Sequence, residues 1–133
     1  MMNDENTLKL TNSFPKLYPE FHPLRPMKET PFFFECRDGW FALLWDLSVK
    51  LEAEIAAMDD KQKLPFTKQV KEKFGTLRFY MSAYTDNISA AIKEAEGISS
   101  ITCEICGEPG ILRGERWTYT LCEEHREFLV RSR

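Results

Sequence analysis

Histidine is scarce in this chain of 133 residues: His22 and His125 are the only two. The H-x-E and P-C-x-x-C pair of zinc deaminases is absent. There are only four cysteines, and three of them stand at metal-ligand spacing, which argues against a disulfide framework. That leaves Cys36 alone, beside Phe32-Phe33-Phe34, as a buried thiol suited to a reducing compartment. Positive charge is also in deficit. The formal net charge is -3, which argues against bulk attraction to nucleic acid or an acidic membrane. No long apolar run occurs, and the start, Met1-Met2-Asn3-Asp4-Glu5, is acidic where a signal peptide would be basic. These absences predict a cytoplasmic chain with no membrane segment. No internal repeat or low-complexity tract is found.

Aromatic residues, by contrast, are abundant: ten Phe, four Tyr and three Trp, within a hydrophobic content of 43%. A chain of this composition folds, and at this length it forms one modest core.

The organising stretch is the last third. Cys103-Glu104-Ile105-Cys106-Gly107 and Leu121-Cys122-Glu123-Glu124-His125 read as C-x2-C, then C-x2-H fifteen residues later. Two residues between ligands is the span a backbone knuckle needs to turn both side chains inward toward one tetrahedral ion. Gly107 suits the positive-φ turn beneath such a knuckle. The intervening Ile111–Thr120 reads as two short strands turning near Gly114-Glu115, and a helix is expected from Cys122, with Phe128 and Leu129 on its inner face. This layout is treble-clef-like, with zinc held by Cys103, Cys106, Cys122 and His125. Four protein ligands close the shell, whereas catalytic zinc keeps an open position. The predicted hairpin also lacks the histidine base of treble-clef nucleases. A structural metal and a non-enzymatic protein are therefore expected.

Three parts are predicted in chain order. Residues 1–31 are read as an extended arm because Pro15, Pro19, Pro23, Pro26 and Pro31 punctuate them, with Phe14, Tyr18 and Phe21 available to pin it to the core. Residues 32–97 form an α+β core. Within it, Phe32–Cys36 is a short buried extended segment, and Asp38 is placed to cap a helix over 39–58 whose inner stripe is Trp40, Leu43, Leu44, Leu47, Leu51, Ile55 and Met58. Phe41 and Trp45 widen that face. A β-hairpin turns around Lys73-Phe74-Gly75 and sets Leu77, Phe79 and Met81 on one face. A helix through 66–74 is the competing reading, since Phe66, Val70 and Phe74 lie four apart. A second helix starts at Thr85 or Asp86 and ends near Gly97. Residues 98–133 form the zinc segment, packed on the core.

Charge is concentrated in one place. Residues 61–78 hold Lys61, Lys63, Lys68, Lys71, Lys73 and Arg78 against Glu72 alone. Lys68, Lys71, Lys73, Arg78 and Tyr80 are therefore candidate contacts for nucleic acid or a partner. A solvated outer face of an amphipathic hairpin is the plainer reading of the same residues.

Cys36-Arg37-Asp38-Gly39-Trp40-Phe41, then Val70-Lys71-Glu72-Lys73-Phe74-Gly75-Thr76-Leu77-Arg78-Phe79-Tyr80, then the C-x2-C-G and T-L-C-x2-H pairs, resemble a group of small, mostly uncharacterised proteins of phages and prophages. The likeness covers roughly residues 32–127. It implies a bacterial host cell as the setting and the zinc site at the four residues named above; it brings no known activity. Two functions are carried forward. The first is an accessory or anti-defence factor that docks on a host or phage protein, for example to inhibit a host system such as CRISPR. The alternative is a zinc protein that binds nucleic acid through the basic 61–78 hairpin.

Overall fold

The computed structural model describes residues 1–19, 34–59, 61 and 63–128. The described residues form an α+β architecture with three α-helices and two small antiparallel hairpins. Among the described residues, no helix is long and apolar enough to cross a membrane.

The first departure from expectation is at the start of the chain. Asp4–Ser13 is an α-helix, α1, where an extended arm was predicted. Prolines begin only at Pro15, so nothing in 4–13 forbids helix. Asn3 caps the helix by accepting from the Asn6 N–H at 2.8 Å, and Asp4 and Glu5 place negative charge at the positive end of the helix dipole. The arm is pinned as the aromatics suggested: Phe14 and Tyr18 are buried. Tyr18 and Ser48 share a buried hydroxyl hydrogen bond of 2.7 Å, and Glu52 accepts from the N–H groups of Lys16 and Leu17. Phe21 and the remaining prolines, Pro23, Pro26 and Pro31, lie outside the described residues.

The main helix is close to prediction. A single 3-10 turn, Asp38–Trp40, leads into α2, Phe41–Ala56. Asp38 does not cap it, however. Its carboxylate accepts from the Asn3 N–H at 2.9 Å and the Asn6 side chain at 3.0 Å, tying down the start of α1 instead. The apolar stripe is buried from Trp40 through Leu43, Leu44, Leu47 and Leu51 to Ile55, and Phe14 meets Trp45 edge-on with ring centroids 4.8 Å apart. Leu47 is only 2% exposed, so Leu47→Ala is expected to cost about 2–5 kcal/mol in denaturant unfolding. A loss within about half a kcal/mol would instead mark that face as solvated.

The hairpin reading holds and the competing helix over 66–74 does not. Strands β1, Thr67–Lys73, and β2, Thr76–Met81, pair antiparallel around a Phe74-Gly75 turn, with Val70 opposite Phe79 and an irregularity between Thr67 and Gln69. Period-two alternation puts Leu77, Phe79 and Met81 into the core. Glu35 bridges in parallel to Lys71, extending the sheet by one short segment, while Phe34 and Cys36 are buried on either side of it. Helix α3, Asp86–Ser99, is capped by Thr85, whose hydroxyl accepts from the Ile88 N–H at 3.1 Å. It passes Gly97 and ends two residues later. The inner faces of α2, α3 and the hairpin meet in one cluster that also takes in Leu10, Leu17 and Tyr18.

The C-terminal hairpin is β3, Ile111–Arg113, paired with β4, Tyr119–Leu121. Gly114 takes the turn at φ 108°. The helix expected from Cys122 is not found among the described residues; 123–128 form consecutive turns, with the Arg126 and Phe128 N–H groups donating to Glu123 and His125 carbonyls. Bonds of that reach make 3-10-like turns rather than an α-helical ladder. Leu129 is outside the described residues.

Candidate metal centre

The knuckle is built by backbone geometry. Gly107 sits at φ 84° and donates its N–H to the Cys103 carbonyl at 2.9 Å, while the Cys103 N–H donates to Glu108 at 2.7 Å. That turn points Cys103 and Cys106 the same way. β4 delivers Cys122 from across the hairpin, and the turn after it returns His125. Their four ligand atoms lie within 4.8 Å of one another. Cys106 Sγ is 3.7 Å from Cys122 Sγ, and His125 Nδ1 is 3.3 Å from Cys122 Sγ and 3.9 Å from Cys103 Sγ. Zinc bond lengths imply tetrahedral edges of about 3.8 Å between sulfurs and about 3.6 Å between sulfur and nitrogen. The sulfur–sulfur separation nearly equals its edge and the two sulfur–nitrogen separations fall on either side of theirs, so the residues suit a single tetrahedral ion with Nδ1 as the histidine ligand.

The two thiols of the knuckle are pushed in opposite directions: burial, followed by the Cys122 and Cys103 thiols, raises Cys106 to about 11, above its ordinary value. Burial raises the Cys103 thiol, but hydrogen bonds from the backbone at Cys122, Cys106 and Ile105 outweigh it and leave the group at about 7, below its ordinary value. Donors aimed at a sulfur stabilise the thiolate that a metal requires.

Sequence reasoning missed the joint between this centre and the core. The Gly39 N–H donates to the Glu104 carbonyl at 2.8 Å, the Arg37 N–H donates to Glu104 Oε2 at 3.1 Å, and the Trp40 indole donates to the Thr102 carbonyl at 2.9 Å. At the other end, the Thr120 hydroxyl donates to the Gly75 carbonyl at 2.7 Å in a buried contact. The ligand-bearing segment is thus bonded to the start of α2 and to the β1–β2 turn.

Glu104 sits in this joint at 3% exposure, and its Oε1 has no hydrogen-bond partner among the described residues. Burial, then the Glu72 carboxylate, push its carboxyl from 4.5 up to about 7. The fold therefore prefers the protonated form. The stability linked to this group is complete below pH 4.5 and is lost as the pH rises through about 7. Glu104→Gln removes the titration while keeping an acceptor for Arg37. Its stability relative to the parent should rise across that window by on the order of 3 kcal/mol, read from paired unfolding curves. A difference that stays flat with pH would mean that the carboxylate is hydrated.

The candidate contact residues on the hairpin are only partly brought together. Lys71, Lys73, Arg78 and Tyr80 share the outer face, and Lys68 is exposed at the strand irregularity. Arg78, however, is paired with the Glu96 carboxylate of α3. Lys71 lies over the Tyr80 ring at 5.9 Å and Lys73 over the Phe74 ring at 5.5 Å. Cys36 is buried, and burial, followed by the Glu104 carboxylate, pushes its thiol well above the usual range, which suits a packing role and not a reactive one.

Compared with protein-family models, curated proteins and solved structures, the chain matches none.

Proposed function

We propose that this chain is a zinc-stabilised accessory protein that works by docking on another protein and carries out no chemistry itself. One observation carries the reading. The Cys103, Cys106, Cys122 and His125 cluster lies at the base of a hairpin whose Ile111, Leu112 and Trp117 are exposed, and Leu112 lies against Gly75, next to the exposed Phe74 of the other hairpin. Apolar side chains held outward on two braced turns are what a partner surface needs. Zinc is the ion this reading assigns, since three thiolates and an imidazole at tetrahedral separations suit it best, and a shell closed by protein leaves the metal a folding role. The motif resemblance supports a finer version: a phage-type, anti-defence factor in the bacterial cytoplasm, with a host protein, such as a CRISPR component, as its target.

Nucleic-acid binding is the second reading, favoured by Lys68, Lys71, Lys73 and Tyr80 on one exposed hairpin. The Arg78–Glu96 pair weakens it by removing one of the cations. The test is a pull-down of tagged protein from bacterial cells, run beside gel shifts on single- and double-stranded DNA and RNA. A stoichiometric protein partner, with no retardation of nucleic acid at physiological salt, is the expected result. Salt-sensitive binding to bare DNA or RNA at micromolar protein would reverse the order of the two readings.

A further inference from the structure

The β1–β2 turn is occupied by a residue its shape disfavours. Both central positions have positive φ, 55° at Phe74 and 84° at Gly75. Two-residue turns of this kind favour Asn-Gly, because glycine has no Cβ and asparagine tolerates the left-handed region. Phe74 is the only non-glycine residue with positive φ among the described residues. A bulky side chain there is disfavoured by roughly 1–2 kcal/mol, and burial does little to offset this, since the residue is 65% exposed. The Lys73 ammonium over its ring recovers part of the loss, about 0.5–1 kcal/mol at an exposed site. The fold would be better served by asparagine.

The surroundings indicate what the ring is for. Leu112, half exposed, abuts Gly75 and widens the apolar tip. Lys73 is beside it and Lys71 lies further back on the same outer face, while Lys68 is at the far end of the strand; none has an ion-pair partner among the described residues. We infer that Phe74 is the anchor of a docking surface for an acidic protein, its ring entering an apolar pocket whose rim carries carboxylates opposite Lys71 and Lys73. The inference rests on the docking reading above and adds the chemistry of the partner. Stacked nucleobases fit less well. One face of the Phe74 ring and one face of the Tyr80 ring are covered by lysine ammonium groups, and the neighbouring Leu112 is aliphatic. A knob that combines an aromatic with an aliphatic group matches a pocket better than a stack.

The test uses the metal-loaded full chain with Phe74 replaced by photoreactive p-benzoylphenylalanine. A second form carries the same group at Ile98, an exposed position on α3. After irradiation in bacterial cells, the protein joined to position 74 is identified and purified, and its binding to the chain is titrated. Phe74→Asn is expected to weaken that binding about tenfold or more, while its unfolding midpoint equals or exceeds the parent's. Replacing Lys71 and Lys73 with Gln should weaken binding most at low salt, and the joined site on the partner should be rich in Asp and Glu. A lower midpoint for Phe74→Asn, or unchanged affinity, would overturn the anchor. A protein joined at position 98 but not at 74 would also sink the anchor while leaving the docking reading intact; no adduct at either position would remove both. A fluorescein-labelled oligothymidylate or oligouridylate bound at physiological salt, and released by Phe74→Asn, would assign the tip to single-stranded nucleic acid instead.

Discussion

Removing the metal is expected to melt residues 100–128 while leaving α2 and α3 folded. The segment has almost no core of its own: its buried apolar cluster is Cys103, Tyr119, Leu121 and Cys122, with Ile105 packed against it, and two of those four buried residues are ligands. Without the ion the thiols lose their common partner, and the strands that remain are three residues each, too short to hold alone. Structural zinc in sites of this type contributes about 10–16 kcal/mol of apparent binding free energy, which here is folding free energy for the segment. Purified protein should carry one zinc per chain, and Cys122→Ser should lose it. Amide exchange should show β3 and β4 unprotected after chelation and α2 still protected. Metal content near zero in protein never exposed to chelator, or strands whose protection survives chelation, would refute a structural ion.

The second large effect is expected at Gly39. A methyl group placed there would overlap the carbonyl oxygen of Cys103 and the carbonyl group of Glu104. Those are backbone atoms of the knuckle, held on one side by the Gly107 N–H bond to Cys103 and on the other by the Gly39 N–H bond to Glu104, so neither wall can yield the way a side chain would. Gly39→Ala should therefore destabilise by about 3 kcal/mol, at the upper end of what overpacking costs. It should also raise exchange at Trp40 and Gly39 before it affects the β1–β2 hairpin. Gly97 supplies the contrast. It lies within α3 with nothing within 4 Å of a Cβ built there, so Gly97→Ala should stabilise by about 0.5–1 kcal/mol. Equal effects at the two glycines would mean that the knuckle is not seated on the core.

What could be read from sequence was what depends on short spacing. The β1–β2 hairpin was legible because 76–81 alternates strictly and Gly75 marks the turn. The ligand set was legible because two residues between metal-binding side chains is a local constraint. Helix α1 was missed because the prolines of the first thirty-one residues were taken together, although none precedes Pro15. The helix expected after Cys122 was drawn from acidic residues and a Phe-Leu pair; Phe128 is in fact 58% exposed, and among the described residues 123–128 none is buried to pull them into a ladder. Gly39 and Glu104 gave no signal, since their pairing joins distant parts of the chain. Phe74 was legible as part of a turn, but its positive φ and exposure are properties only of the folded backbone.

The long reach of that joint has a kinetic consequence. The bonds from Arg37 to Glu104 and from Trp40 to Thr102 close loops of 67 and 62 residues. During synthesis α2 is complete long before the segment that covers its first turn exists, and closing so long a loop is a slow step. The contacts that reward closure also wait for the knuckle, which on the structural-zinc proposal waits for the ion. The concentration of free metal is therefore expected to set how fast this chain reaches its native state, as well as how stable that state is once formed.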